Sequence, residues 1–401
     1  MSMVCLGSRV VAQGARRADT VRVHATDAPT WGTSLRLEPV QTIGALDGPP
    51  EYAFGELSTV VVDRRGRVYT YDEKDHQVRA YDANGRFFTT VGRKGGGPGE
   101  YRFVADMVIL SDSLLVVFDP SSARLTVFAP SGKLVRTISE PRANSWGGKM
   151  LFASPQGRVF VRVSVRGAKS SLSESESRAA LGARYLGFDV TGRLVDSVNA
   201  AFPRTVAPRP RSFYLMLAEG GHSAFQPSPT MVAAPDGSII AGTGESMRFS
   251  VTPRQGPVRV IDRPWIAVAL DRAERANWQA WAAYFSKQDG GRYRYDIPSV
   301  KPAYHDLAID ATSRVWVSVF ATAERRDLAA RAANDARPLL VWRQRATYDV
   351  YELSGTYLGR VILPHGEAML QAIGDHVWAM GKGPDDEQRI IKYRLVRPIA
   401  R

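Results

Sequence analysis

Histidines and carboxylates are the side chains of this sequence that could hold a metal ion, and a metal site needs several of them to converge. The 401 residues include six histidines. His76, His222 and His305 fall in or beside segments that we place on one face of the molecule. Asp306 and Asp310 lie too far along a predicted strand to complete an oxygen-ligand set with His305. We therefore predict no bound metal and no cofactor.

Motifs for a nucleophile or a phosphate site are missing from the sequence. The single cysteine, Cys5, lies near the amino terminus, and no G-x-S-x-G string is present. The glycine-rich run Gly95–Gly99 is followed by neither a Lys-Ser/Thr pair nor a predicted helix, so it lacks the geometry of a phosphate-binding loop. We interpret this run as a structural link. The sequence favours a non-catalytic protein.

Long segments rich in basic residues supply the strongest candidates for binding. Four segments, 164–184, 200–229, 265–304 and 321–346, hold 19 Lys or Arg and 10 Asp or Glu, against a net charge of +13 for the chain. A positive field attracts acidic partners, whether a small molecule, a glycan or a protein. The predicted ligand contacts are Arg211, His222, Arg292, Arg294, Lys301, Tyr304, His305 and Arg343.

A nucleic acid partner has some support in the same segments. Residues 292–295 read Arg-Tyr-Arg-Tyr, and Trp342 precedes Arg343. Aromatic residues interleaved with basic ones can stack bases and bind phosphates of a single strand. We nevertheless expect no nucleic acid partner, because export of the protein is also expected.

One of the long segments contains a helix signal. Asp271 and Glu274 have the spacing of a capping box, and Trp278, Trp281 and Phe285 follow at helical spacing. The pattern predicts a helix over 271–287. Its aromatic stripe is expected to seat the helix on the protein rather than to bind a ligand. A second, weaker helix is predicted over 324–335.

Two hairpin patterns recur along the chain and must position these segments. In the first, two short apolar runs flank a small or polar turn, which is the signal of a β-hairpin. It occurs six times, with turns near residues 66, 112, 157, 237, 313 and 375. In the second, an aromatic residue lies four positions before a glycine, as at Tyr81–Gly85, and an apolar strand follows. This pattern occurs five times, one copy being degenerate.

The unequal numbers of the two hairpins predict how the chain ends meet. After the sixth copy of the first hairpin pattern, only the strand 389–396 remains before the chain ends. An unmatched strand, 35–43, lies near the amino terminus. If these two strands pair, six four-stranded units close into a ring without free sheet edges. The prediction is an all-β, six-bladed β-propeller over 34–401, preceded by a tail over 1–33. In such a ring all four basic segments fall on one face, where binding sites are usually built.

The links between the early units resemble those of a known family. The string Gly95-Gly96-Gly97-Pro98-Gly99-Glu100-Tyr101 has a counterpart, Gly55-Glu56-Leu57, 44 residues earlier. With the strands that follow, this string resembles the NHL-repeat-like six-bladed β-propellers, in particular a group of bacterial exported proteins, over residues 34–401. The resemblance implies the propeller fold and export. It transfers no catalytic residues, because the group has no agreed activity.

The amino-terminal residues bear on the compartment. Residues 11–15 have the small side chains of a cleavage region, but the apolar run before them is too short for a signal-peptide core. We expect a periplasmic or extracellular protein whose signal peptide is truncated in this sequence, with a cytoplasmic location as the alternative. No stretch approaches 18 consecutive apolar residues, so no transmembrane helix is predicted.

Two functions follow from these patterns. The first is ligand or protein binding in the cell envelope through a basic, loop-covered face. The alternative is a lactonase-like or lyase-like propeller enzyme with a metal near the central funnel. A bound divalent metal would separate the two, and the sequence indicates neither the ligand nor the oligomeric state.

Overall fold

Tight turns of one kind join most of the strands. In the computed structural model, the N–H of the first turn residue donates to the carbonyl of the fifth, and the N–H of the fourth donates to the carbonyl of the first, as at Asp63–Arg67. The fourth residue has a positive φ, 81° at Gly66, which glycine adopts without steric cost. The structure describes residues 20–26, 28–33, 35–110, 114–139, 151–164, 182–201, 225, 227, 230–288, 290, 297–326, 328 and 337–397.

An aspartate at the first position reinforces several of these turns. Asp63 Oδ1 accepts hydrogen bonds from the N–H groups of Arg65 and Arg67, both at 2.9 Å, and Oδ2 accepts one from the Arg67 guanidinium at 2.6 Å. Asp310 accepts the equivalent bonds from Thr312 and Arg314. The shared string Asp-x-x-Gly/Ser-Arg therefore encodes both the backbone and the side-chain bonds of the turn.

The strands before and within the first three blades are numbered along the chain. β1 (Thr20–His24) and β2 (Arg36–Ile43) come first. Blade one has β3 (Leu57–Val62), β4 (Val68–Asp72), β5 (Gln77–Tyr81) and β6 (Phe87–Val91), and the short parallel pair β7 (Arg93–Lys94) and β8 (Glu100–Tyr101) follows it. Blade two has β9 (Asp106–Leu110), β10 (Leu114–Asp119), β11 (Arg124–Phe128) and β12 (Leu134–Ser139). Blade three has β13 (Leu151–Ala153), β14 (Val159–Ser164), β15 (Gly182–Phe188) and β16 (Leu194–Ala201).

The remaining blades include a long link, which joins blade four to blade five, and a long insertion, which lies between the second and third strands of blade five. Blade four has β17 (Thr230–Ala233), β18 (Ile239–Gly242), β19 (Arg248–Thr252) and β20 (Val258–Asp262), and helix α1 (Arg272–Gln288) follows. Blade five has β21 (Tyr304–Ile309), β22 (Val315–Val319), β25 (Thr347–Tyr351) and β26 (Tyr357–Ile362), with β23 (Glu324–Arg325) and β24 (Trp342–Arg343) forming a separate two-stranded sheet between β22 and β25. Blade six has β27 (Ala368–Ile373), β28 (His376–Lys382) and β29 (Gln388–Val396).

The fourth strand of blade six comes from the amino-terminal part of the chain. β2 pairs antiparallel with β29, with Arg36 opposite Val396 and Ile43 opposite Ile390. The predicted pairing of 35–43 with 389–396 is confirmed, and with it the six-bladed β-propeller. Closing the last blade with a distant strand covers the edge of β29, which would otherwise present unpaired N–H and C=O groups.

Each pair of neighbouring blades shares one apolar cluster, so six clusters hold the ring together. Blades four and five pack through a cluster that includes Ile240, Phe249 and Leu307, and blades six and one through a cluster that includes Trp378 and Tyr81. The other four interfaces have their own clusters. Burial at about 25 cal/mol per Å² of apolar surface is the main force that closes such a ring.

The segment that precedes β2 also packs on the ring. β1 pairs parallel with β20, the outer strand of blade four, so this sheet has five strands. The chain then reaches blade five, where the N–H of Trp31 donates to the carbonyl of Leu358 at 2.7 Å and the indole is buried. The described residues among 20–33, which we placed in a tail from the sequence, therefore lie along the outer edges of blades four and five, before β2 enters blade six.

Candidate functional site

Helix α1 begins at the aspartate that the sequence indicated. Asp271 Oδ1 accepts hydrogen bonds from the N–H groups of Ala273 at 2.7 Å and Glu274 at 3.3 Å, as an N-cap residue does. The helix spans Arg272–Gln288, which confirms the predicted helix over 271–287. The Glu274 side chain contributes an ion pair with Lys301, which the capping-box spacing did not anticipate.

The aromatic stripe of α1 seats the helix on the long-loop side of the ring. Trp278 and Trp281 are buried, in one cluster with Phe225 and Phe320. The rings of Phe225 and Trp278 meet edge to face with centroids 5.1 Å apart, and Phe225 also contacts Phe320 at 5.5 Å. The packing interpretation of the stripe is therefore confirmed, and Phe320 connects the helix to the end of β22.

Lys301, one of the predicted ligand contacts, is an internal residue with 1% of its surface exposed. Its Nζ lies 2.8 Å from Glu274 Oε1, donates to the carbonyl of Ala321 at 2.9 Å and lies 5.2 Å from the centre of the Phe225 ring. Burial lowers the pKa of the Lys301 ammonium, and the Glu274 carboxylate acts in the opposite direction. Lys301 thus links α1 to the insertion after β22 instead of facing solvent.

Tyr304, a second predicted contact, is also fully buried. Its hydroxyl donates to the carbonyl of Arg248 at 2.7 Å, and burial raises the pKa of the phenol. Gly242 makes this approach possible, because a Cβ at that position would lie 1.8 Å from the Tyr304 hydroxyl. In this arrangement Tyr304 fastens blade five to blade four and has no surface left for a ligand.

His305 is half-buried beside the axis of the ring. It is the extra residue of a bulge between Tyr304 and Asp306 in β21, the innermost strand of blade five. Its Nε2 lies 2.9 Å from Ser318 Oγ, and its ring contacts Phe320 at 4.9 Å. A bulge re-aims a side chain, so His305 lies at the point where the axis, β22 and the α1 cluster meet.

Polar side chains on the inner strands connect neighbouring blades near the axis. Asp306 accepts a hydrogen bond from the Thr230 hydroxyl of blade four at 2.7 Å. Gln371 of blade six bonds both backbone groups of Val62 in blade one, at 2.9 and 3.1 Å. The bond to Thr230 gives Asp306 a structural role, which is to connect blade five to blade four. Within the described ranges, no three His, Cys, Asp or Glu side chains lie close enough together to hold a metal ion.

The insertion of blade five folds against α1. The Asn277 amide donates to the carbonyl of Leu339 at 2.8 Å and accepts from the N–H of Val341 at 3.1 Å. The insertion is also tied to the link before blade six, where Glu324 pairs with His365 at 3.0 Å. Glu324 and Arg325 form a strand, so the helix predicted from residue 324 does not begin there. Residues 327 and 329–336 lie outside the described residues.

Arg343 is the predicted contact that the structure places on this insertion, in β24 and half-buried. Glu324 lies opposite Arg343 across the two strands, and Arg325 lies opposite Trp342. Arg211, His222, Arg292 and Arg294, the other predicted contacts, fall outside the described residues. Of the eight predicted contacts, the described part of the chain therefore offers His305 and Arg343 with some exposed surface.

The helix and the insertion together form a basic cover over blade five. We define this cover as the described residues among 263–303 and 320–346. Its exposed or half-buried basic residues outside buried ion pairs are Arg272, Arg275, Lys287, Arg325, Arg326, Arg337, Arg343 and Arg345, and its exposed acidic residues are Asp271 and Glu324. Lys301 and Arg263 add no net charge to this surface, because they pair with the buried carboxylates of Glu274 and Asp349. Within the part of the chain that the structure describes, the positive charge expected on this face lies over blade five.

The other described loops of the same face have the opposite charge balance. Their basic residues are Lys74, Arg93, Lys94 and Arg102, whereas their acidic residues are Asp47, Glu51, Glu56, Glu73, Asp75, Glu100, Glu245, Glu367, Asp385, Asp386 and Glu387. Among the described residues, this face is therefore divided into a positive region over blade five and a negative region over blades six and one. A field divided in this way orients an incoming charged molecule as well as attracting it.

Comparison with known proteins supports the fold. A model of the DUF5128 family, described as a 6-bladed beta-propeller, matches residues 37–145. A solved DUF4221-family protein from Bacteroides vulgatus has a TM-score of 0.54 at 10% identity, over 91% of this chain and 99% of that chain. No curated protein sequence matches the chain.

More distant structures share the propeller shape at lower similarity. A PQQ-bound aldose sugar dehydrogenase from Streptomyces coelicolor has a TM-score of 0.44 at 11% identity, over 91% of this chain and 99% of that chain. Virginiamycin B lyase from Staphylococcus aureus has a TM-score of 0.39 at 9% identity, over 90% of this chain and 100% of that one.

Among the described residues, no helix has the length and apolar character needed to span a membrane.

Proposed function

We propose that this protein is a non-catalytic binding propeller of the cell envelope that takes an acidic ligand or partner at the basic cover over blade five. The observation that carries the proposal is the concentration of basic side chains in a cover whose parts are fixed to each other. The Lys301–Glu274 ion pair and the Asn277 amide join α1 to the insertion. A fixed surface loses little conformational entropy when a ligand binds.

The charge division supports recognition by electrostatics. Arg325 and Arg326 are exposed on β23 and directly after it, on the cover. The described loops of blade six beside it are acidic, so an acidic molecule is drawn to blade five and repelled from that neighbour. Salt screens such interactions over about 8–10 Å at moderate ionic strength, and the binding should be salt-sensitive.

The test compares two charge-reversal variants with matched chemistry. Arg325→Glu/Arg326→Glu changes the cover, whereas Arg64→Glu/Arg65→Glu makes the same change at an exposed Arg-Arg pair in a turn of the opposite face. Binding of polygalacturonate and of polyglutamate is measured by calorimetry at about 50 and 200 mM salt.

We expect the cover variant to weaken binding by about tenfold or more, since two charges are reversed, while the control stays within about twofold. Equal losses in the two variants would show that only the net charge matters. Absence of binding to either polymer at low salt would overturn the proposal.

A further inference from the structure

Trp342 differs from the other tryptophans that the structure describes. Trp31, Trp265, Trp278, Trp281, Trp316 and Trp378 each belong to one of the apolar clusters of the ring or the cover. Trp342 belongs to none of these clusters and is half-buried on β24, at the surface of the cover. An indole that does not serve a core needs another explanation, and tryptophan is enriched where proteins bind other molecules.

The register of the small sheet places a basic residue beside this indole. Arg325 is directly opposite Trp342, and directly opposed residues of an antiparallel pair have their side chains on the same face. Arg325 is exposed, so one face of the sheet presents an aromatic ring and a guanidinium together.

The other face of the small sheet has a different character. There Arg343 is opposite Glu324, whose carboxylate also pairs with His365 at 3.0 Å. That face is balanced in charge and tied to the link before blade six. The face of Trp342 and Arg325 is therefore the one that is built to receive a ligand.

We infer that Trp342 and Arg325 form a subsite for one ring of an acidic glycan, a sugar that bears a carboxylate. This inference rests on the proposed function and names the ligand class. The C–H face of a sugar ring is apolar and carries partial positive charge, so it packs on the negative face of an indole. The guanidinium binds the carboxylate of the sugar through two parallel hydrogen bonds.

The single aromatic ring favours a glycan over other acidic polymers. Sites for single-stranded nucleic acid stack successive bases on several aromatic residues, and the small sheet contributes one ring. An acidic peptide of Asp or Glu offers carboxylates but no rigid C–H ring face to lie flat on the indole. The pairing of one ring with one guanidinium matches one carboxylated sugar unit.

The experiment separates the contribution of the Trp342 indole to binding from the contribution of the Arg325 charge. Trp342→Ala, Trp342→Phe and Arg325→Gln are titrated with oligogalacturonate, with the fully methyl-esterified oligomer, with polyglutamate and with a single-stranded oligonucleotide. We expect Trp342→Ala to weaken oligogalacturonate binding by about tenfold and Trp342→Phe by less than about threefold, because a smaller ring still stacks. Arg325→Gln should remove the preference for the acid over its methyl ester.

The amplitude of tryptophan fluorescence quenching at saturating ligand gives a second readout that does not depend on affinity. Oligogalacturonate should quench the wild type and leave Trp342→Phe unquenched. If polyglutamate binding depends on Arg325 and Arg326 while Trp342→Ala changes no affinity, the glycan subsite is overturned and the binding function stands. If oligogalacturonate binding depends on both Trp342 and Arg325 but Arg326→Glu and added salt have no effect on it, the electrostatic function fails and the subsite stands. Tighter binding of the oligonucleotide than of the uronate, lost in Trp342→Ala, would assign the site to nucleic acid instead.

Discussion

Lys301 illustrates how a single residue can differ from its expected role. Lysine is among the residues least often buried, so a lysine in a basic segment suggests a surface contact. Here the ammonium is enclosed by Glu274, a carbonyl and an aromatic ring. No local pattern in the sequence reports this, because Glu274 lies 27 positions away. The residue holds α1 to the insertion after β22.

The Lys301–Glu274 pair leads to a prediction about stability. Lys301→Met should lower the free energy of unfolding by about 3–5 kcal/mol, because it leaves a buried carboxylate without its partner. The double variant Lys301→Met/Glu274→Leu should recover most of this loss, since two apolar side chains replace the pair. Urea unfolding followed by tryptophan fluorescence measures both. A double variant as unstable as the single one would contradict the account.

Asp196 leads to a prediction about pH. Its carboxylate accepts hydrogen bonds from Nη1 and Nη2 of Arg254, at 2.6 and 2.8 Å, and these bonds hold the pKa of Asp196 below its usual value. A carboxylate with a lowered pKa stabilises the folded state above its unfolded pKa, and the stabilisation is lost as the pH falls through the folded pKa. Asp196→Asn should therefore be less stable than the wild type at about pH 6 and approach it at about pH 3. Thermal unfolding at several pH values measures this, and a constant difference would contradict it.

At the scale of the element, the turns were the most predictable part of the chain. Their backbone requires a positive φ at one position, and glycine or a small polar residue marks that position in the sequence. The strands between them are short and apolar, so the alternation of run and turn located all six blades. β1 escaped prediction because its pairing with β20 depends on a strand more than 200 residues away.

Ser313 tests the turn account directly. It has a φ of 63°, in a position where most of the equivalent turns have glycine and the turn at 383–387 has Asp386. Ser313→Gly should raise the free energy of unfolding by about 0.5–1 kcal/mol, because relief of the left-handed strain, about 1–2 kcal/mol, exceeds the extra conformational entropy that glycine loses on folding, about 0.5–1 kcal/mol. Gly66→Ala, in the equivalent turn of blade one, should be destabilising. Chemical denaturation of both variants is the measurement, and a destabilised Ser313→Gly would show that the serine side chain contributes more than the strain it causes.

The insertions show where local patterns stop being informative. The capping residue and the aromatic stripe of α1 lie within one stretch of sequence, and the helix was predicted. The insertion of blade five has the composition of a solvated helix, yet Glu324 and Arg325 pair with Trp342 and Arg343. Strand pairing across 17 residues depends on contacts with α1 and with His365 that composition does not report.

At the scale of the molecule, closure of the ring leads to a prediction. Removal of residues 1–43 takes away β2 and exposes the edge of β29, whereas removal of residues 1–33 takes away β1 and Trp31 but leaves β2. We expect the first truncation to self-associate through the open edge, and the second to keep its elution volume on size exclusion with a lower unfolding midpoint. Self-association of both truncations to the same extent would contradict the role assigned to β2.

The path of β1 has a further consequence for how the molecule can be held. Thr20 lies beside Val258, next to the connection between β19 and β20, on the side of the ring away from the cover. A label, bead or fusion partner joined ahead of Thr20 enters β1 from that side. A protein immobilised by this end would hold its positive surface outward to the solution, so amino-terminal tethering is the geometry of choice for surface-based binding measurements.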